Sequence, residues 1–102
     1  MDVPISKWRF MRQEKIPSYW SKFVELFVQL RATEFCEEDR WFNVPENMSL
    51  VLGVYFDRRV NGYVGGIVTQ PAVGNVLQIH KRMPYLAQRW WTSEYHGDLP
   101  AA

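Results

Sequence analysis

Cysteine is nearly absent: Cys36 stands alone in 102 residues. A disulfide framework within the chain and a multi-cysteine zinc site are both excluded, and a reducing cytosol fits best. An excess of charge of either sign is missing too. Twelve basic and 11 acidic residues leave a net charge of +1, so composition offers none of the basic excess that grips duplex nucleic acid. Long apolar runs are also missing. None approaches the roughly 20 residues of a bilayer span, and Met1–Trp8 has no apolar stretch of the signal-peptide kind. No membrane association is expected. Internal repeats and low-complexity tracts do not occur. No serine sits in a nucleophile elbow, and no carboxylates pair at a defined spacing.

What the chain has is aromatic bulk. The hydrophobic fraction is 47%, the aromatic fraction 16%, and there are five tryptophans. This is enough to order a single domain over residues 1–102 and to supply a large-side-chain core, an aromatic interaction surface, or both.

Periodicity suggests the elements. Lys7-Trp8-Arg9-Phe10-Met11-Arg12 alternates and reads as a half-buried strand, with Trp8 and Phe10 on one face. Pro17 suits a first helical position. From there to about Phe35, Trp20, Phe23, Phe27 and Leu30 recur at three- and four-residue steps, which predicts a long core helix. Glu37-Glu38-Asp39 reads as a solvated turn. It lacks the ligand spacing of a calcium loop, so no metal site is expected. In "DRRVNGYVGG", residues 57–66, two turn signals compete. A two-residue Asn61-Gly62 turn would put Asp57, Arg58 and Arg59 inside the ladder. A three-residue Asp57-Arg58-Arg59 loop instead sets Leu50, Leu52, Val54 and Phe56 opposite Gly66, Val64, Gly62 and Val60, and is preferred because register follows the buried face. The strands are then about Ser49–Phe56 and Val60–Gln70, followed by a third over Asn75–Lys81. Gly65-Gly66 marks a bulge or a close approach. Pro84 opens a second, shorter helix reaching Tyr95, with Gly97 just past its end. The expected class is α+β: a three- to four-strand, mostly antiparallel sheet with a long N-terminal helix and a shorter C-terminal one.

This order, together with "RVNGYVGGIV" at 59–68, resembles the first half of the GNAT N-acetyltransferase fold. "IPSYWSKFVELF" at 16–27 is similar to the first helix of small acetyltransferase-like proteins found in phage genomes, and "VLQIHKRMPYL" at 76–86 falls where the family's central strand would lie. The resemblance implies an acyl-CoA scaffold. However, the family's glycine-rich loop of the Q/R-x-x-G-x-G/A type, whose N–H groups hold the pyrophosphate, has no counterpart here. Residues 82–91 contain no glycine, and Trp90 and Trp91 stand where backbone must approach phosphate. The resemblance thus implies a half-fold without a cofactor. In the alternative of a retained acyl-CoA-dependent transferase, Gly65 and Gly66 would flank the cofactor and His80 would serve as base.

Single candidates for chemistry are weak. His80 reads first as a strand histidine with a hydrogen-bond partner, and His96 as a helix-end cation. Cys36 beside Glu37 and Glu38 has an acidic setting that makes a poor nucleophile. Trp41, Phe42, Tyr85, Arg89, Trp90 and Trp91 belong to the residue types that dominate binding hot spots. The expected function is a small non-catalytic protein-binding or regulatory module, cytoplasmic or, if phage-encoded, acting in the host cytoplasm or virion. Its partner would be another protein or, for a self-associating structural subunit, a second copy.

Overall fold

The computed structural model describes residues 4–88. The described chain is built from strands: β1 (Ile5–Arg12), β2 (Leu26–Leu30), β3 (Glu34–Glu37), β4 (Arg40–Asn43), β5 (Met48–Asp57), β6 (Gly62–Pro71), β7 (Arg82–Pro84) and β8 (Leu86–Gln88). Helical structure among the described residues is confined to short 3-10 turns at Gln13–Lys15, Trp20–Lys22 and Gly74–Gln78. None is long and apolar enough to cross a membrane. A six-stranded sheet runs in the order β1-β6-β5-β2, with β7 on β6 and β8 on β5, and β3 and β4 form a separate two-stranded sheet. β1 lies parallel to β6, and every other pair is antiparallel.

The fold is therefore mostly β, and the α+β expectation is corrected. The helix expected from Pro17 to Phe35 is replaced by 3-10 turns, β2 and β3. Its aromatic and β-branched residues are indifferent helix formers. The run Leu26-Phe27-Val28-Gln29-Leu30 fits a strand as well as a helix, and pairing along the whole run with Leu50–Val54 of β5 settles the choice. Asn75–Lys81, expected as a third strand, falls largely in the 3-10 turn that Gly74 opens at φ 57°. The expected second helix begins instead as β7 and β8. These strands are antiparallel first to β6 and then to β5, so the chain bends at Tyr85 between them. The remainder of that expected helix, to Tyr95, lies outside the described residues.

The β5–β6 connection uses both rival turn signals. Asp57 pairs with Gly62, which leaves a four-residue loop, Arg58–Asn61. The Asp57 carboxylate accepts the Arg59 N–H at 2.9 Å and so starts the turn. Asn61 closes it with a left-handed φ of 50° and an N–H donated to the Arg58 carbonyl. The expected three-residue loop is wrong by an odd number of positions, so the cross-strand partners switch face. Leu52 opposes Ile67 rather than Val64, and Val54 opposes Gly65 rather than Gly62. A similar economy shapes β3–β4, where Glu38 and Asp39, at φ 51° and 64°, form the two-residue turn between paired Glu37 and Arg40.

Two hydrophobic clusters flank the large sheet. Leu50 and Val51 are neighbours in β5, and each feeds a different cluster, so the clusters lie on opposite faces. The first joins Phe35, Phe42 and Val44 to Leu50, Ala72, Val76, Met83 and Leu86. It seats the small sheet on one end of the large one, with the Phe35 and Phe42 rings stacked at 5.6 Å. The second joins Met11, Val51, Tyr55, Val64, Val68, Tyr85 and Ala87, and the segment carrying Ile16, Trp20 and Val24 packs over it. Trp20 and Phe23 meet the Tyr55 ring at 5.9 and 6.3 Å.

Candidate functional site: an apolar sheet face

Register places side chains in rows across the sheet. One face carries the row Arg9, Gly66, Gly53, Phe27, with Met11 beside Val68 and Lys7 beside Val64 and Tyr55. This is the face covered by residues 13–24. The other face carries Trp8, Gly65, Val54 and Leu26 in one row and Phe10, Ile67, Leu52 and Val28 in the next. Phe56 and Tyr63 lie above these rows and Leu50 and Leu30 below. The Phe56 and Tyr63 rings meet edge to face at 5.4 Å.

Gly65 and Gly66 serve opposite faces. A Cβ on Gly66 would lie 2.7 Å from the Met11 methyl, and one on Gly53 would lie 2.9 Å from the same atom. The paired glycines thus form a trough filled by the fully buried Met11. A Cβ on Gly65 would lie 3.0 Å from the Trp8 ring, which rests on that glycine from the second face. The space over both glycines, a cofactor position in the transferase alternative, is filled by the chain's own side chains.

No charged residue occurs in either row of the second face, but exposed Arg12, opposite Thr69 in the row below, puts a cation on the same face beside Phe10. Leu52 and Val54, at its centre, are buried. Around them Phe10 is 76% exposed, Trp8 56%, Leu26 49%, Phe56 45% and Leu30 41%. Large apolar side chains held this open are the feature expected of an interaction surface. The lower edge is fixed by Arg82, which donates two hydrogen bonds to the Glu14 carboxylate at 2.8 and 3.1 Å and one to Thr69 Oγ1 at 2.9 Å. This fork ties the turn after β1 to β7, and the Arg82 hydrogen bonds hold the Glu14 carboxyl below its ordinary pKa.

The structure disperses the binding residues expected from sequence. Trp41 is half exposed on β4, opposite Cys36. Phe42 is buried in the first cluster and Tyr85 in the second, on the other side of the sheet. Both side chains are buried. Arg89, Trp90 and Trp91 lie outside the described residues. His80 follows the Gly74–Gln78 turn, and its Nδ1 lies 2.9 Å from the Arg82 carbonyl and 3.1 Å from the Arg82 nitrogen, so the backbone engages it in either tautomer. The Glu37 and Glu38 carboxylates stand 3.7 and 4.0 Å from the ring. Burial pushes the Glu37 carboxyl up, with His80 pulling the other way. Among the described residues no three His, Cys, Asp or Glu side chains group as a metal site.

Sequence reasoning placed Trp8 and Phe10 together on one face of a half-buried strand, Leu26 and Leu30 in the expected helix and Phe56 in the hairpin, and counted none of them as a site residue. The available signal was two-sided. β1 alternates cleanly, whereas β5 and β6 are apolar at odd and even positions alike, so neither hairpin face stood out. No family model, curated protein or solved structure matches the chain.

Proposed function

We propose that this chain is a non-catalytic protein-binding module whose contact surface is the sheet face of Trp8, Phe10, Leu26, Leu30 and Phe56. The observation that carries the reading is the contrast within β1. Met11 is fully buried, while its neighbour Phe10 is three-quarters exposed. Phe10 is a large side chain that the fold holds in place without burying. Aromatic anchors ringed by aliphatic side chains are the usual core of a protein contact. Arg12 stands at the edge of these apolar rows, which is less than the basic groove that accompanies stacking aromatics in single-stranded nucleic-acid binding, so a protein partner is favoured over nucleic acid.

Phe10→Glu tests this directly. It should abolish binding of an environment-sensitive apolar dye and leave the thermal midpoint within a few degrees of the parent, since substitutions at exposed sites usually change stability by less than about 0.5 kcal/mol. A steep fall in the midpoint would show Phe10 to be core and overturn the reading.

A further inference from the structure

We propose that the partner engages this module through an acidic peptide segment, a carboxylate beside an aromatic side chain, seated in the cleft at the end of β1. The proposal rests on the protein-binding reading above and adds the partner's chemistry.

The cleft has a volume of about 600 Å³ and is lined by Phe10, Arg12, Lys15, Ser18, Tyr19 and Trp20. Phe10 and Arg12 point to one face of β1, while residues 13–24 pack over the other. The cleft therefore sits where the chain passes from one face to the other, and Phe10 makes it continuous with the apolar rows. Its charge is of one sign. Arg12 and Lys15 are exposed, no carboxylate lines the cleft, and neither cation forms an ion pair among the described residues. Glu14, the acid between them in sequence, is held by the Arg82 fork at 2.8 and 3.1 Å. The imbalance extends along the chain. Between Ile5 and Val24 the bases are Lys7, Arg9, Arg12, Lys15 and Lys22 and the one acid is Glu14, although the whole chain carries only +1. Such a field draws in an acidic segment and turns away a basic one. The Arg12 guanidinium offers a carboxylate a planar fork of donors. The rings supply the other half of the match. Tyr19 is half exposed and meets the Trp20 ring edge to face at 4.9 Å, and Phe10 is more open still. An aromatic side chain of the partner gains from offset or edge contacts with these rings. β1 also ends the described sheet, with no strand among the described residues on its outer side. An open edge gives an extended segment main-chain partners, whereas its cations disfavour a second β1 alongside.

The test is fluorescence anisotropy of the full chain with a short peptide that places one phenylalanine between glutamates and carries an uncharged label. A glutamine counterpart of the peptide, a single-stranded oligonucleotide and the apolar dye are measured in parallel. The expected result is saturable binding of the glutamate peptide. Binding should weaken at least about ten-fold for the glutamine peptide, and likewise for the Arg12→Glu/Lys15→Glu variant, in which like charges face each other. Leu77→Glu adds the same kind of charge in the Gly74–Gln78 turn and should leave binding unchanged. Equal binding of the two peptides, or an equal loss from Leu77→Glu, would overturn the acidic partner. Absence of peptide binding, in a parent that binds the apolar dye and loses it with Phe10→Glu, would also overturn it and leave the face to a partner of other chemistry. Dye binding that ignores Phe10→Glu would overturn the face and this inference together. An oligonucleotide bound more tightly than the glutamate peptide would overturn both in favour of nucleic acid.

Discussion

The two faces of one sheet put adjacent glycines to opposite uses. Gly66, with Gly53, opens a trough that Met11 fills completely. Gly65 carries the Trp8 ring on a surface from which Phe10 projects. The backbone conditions are the same and the side chains come from the same strand, β1, yet Met11 is fully buried on one face while Trp8 and Phe10 stay exposed on the other, around the buried Leu52 and Val54. Among the described residues, what separates them is the cover. Residues 13–24 return over the Met11 face with Ile16, Trp20 and Val24, and the small sheet reaches only the Leu50 end of the other. An apolar sheet face is therefore not a core by itself; it becomes one when something packs on it.

The largest effect expected from this contrast is at Met11. Met11→Ala empties a fully enclosed site and should cost about 2–5 kcal/mol in denaturant unfolding. A loss below 1 kcal/mol would mean that the trough collapses freely. Next comes the paired test of the glycines. Gly66→Ala puts a Cβ 2.7 Å from the Met11 methyl and 3.2 Å from the Met11 Cβ, and should cost about 1–3 kcal/mol. Gly65→Ala meets a Trp8 ring that can tip toward solvent, and the smaller unfolded-state entropy of alanine, about 0.4–1 kcal/mol, offsets much of the clash. Equal losses from the two would erase the proposed difference between the faces.

The pH response should be smaller and should run in two directions. The Glu14 carboxyl is lowered chiefly by the Arg82 hydrogen bonds, and the Asp57 carboxyl chiefly by the Arg59 N–H. Each contributes stability above its ordinary pKa that is lost as pH falls through the lowered folded value, so unfolding should ease below about pH 4. Glu37 is raised by burial. Its contribution has the opposite sign, being present in acid and lost as pH rises through the raised value. Glu37→Gln should therefore raise the thermal midpoint slightly at pH 7 and remove that part of the pH dependence. A lower midpoint at pH 7 would show the His80 contact to outweigh the burial.

The strands were more legible than their pairing. β1 shows in its alternation, and the β5–β6 hairpin shows as two apolar runs around a charged turn. The register failed because every residue from Ser49 to Tyr55 is buried, which leaves no polar face to fix the phase. β2 was hidden because its apolar run fits two periods, and the free edge of β5 that decides between them is a tertiary fact. The turn at Glu38–Asp39 was legible as a turn. Its role as the link between β3 and β4 was not, because neither residue is the glycine or asparagine that usually marks left-handed positions. The candidate face stayed out of reach for the same reason as the register: finding it requires knowing which odd or even set is covered.

Hydroxyl-radical footprinting of the full chain at high dilution tests the central claim most directly, because methionine is intrinsically among the most easily oxidised side chains. The account predicts that Trp8, Phe10 and Phe56 are modified while Met11, one residue from Phe10, stays intact. Protection of Trp8 and Phe10 equal to that of Met11 at that dilution, or oxidation of Met11 in the folded chain, would contradict it.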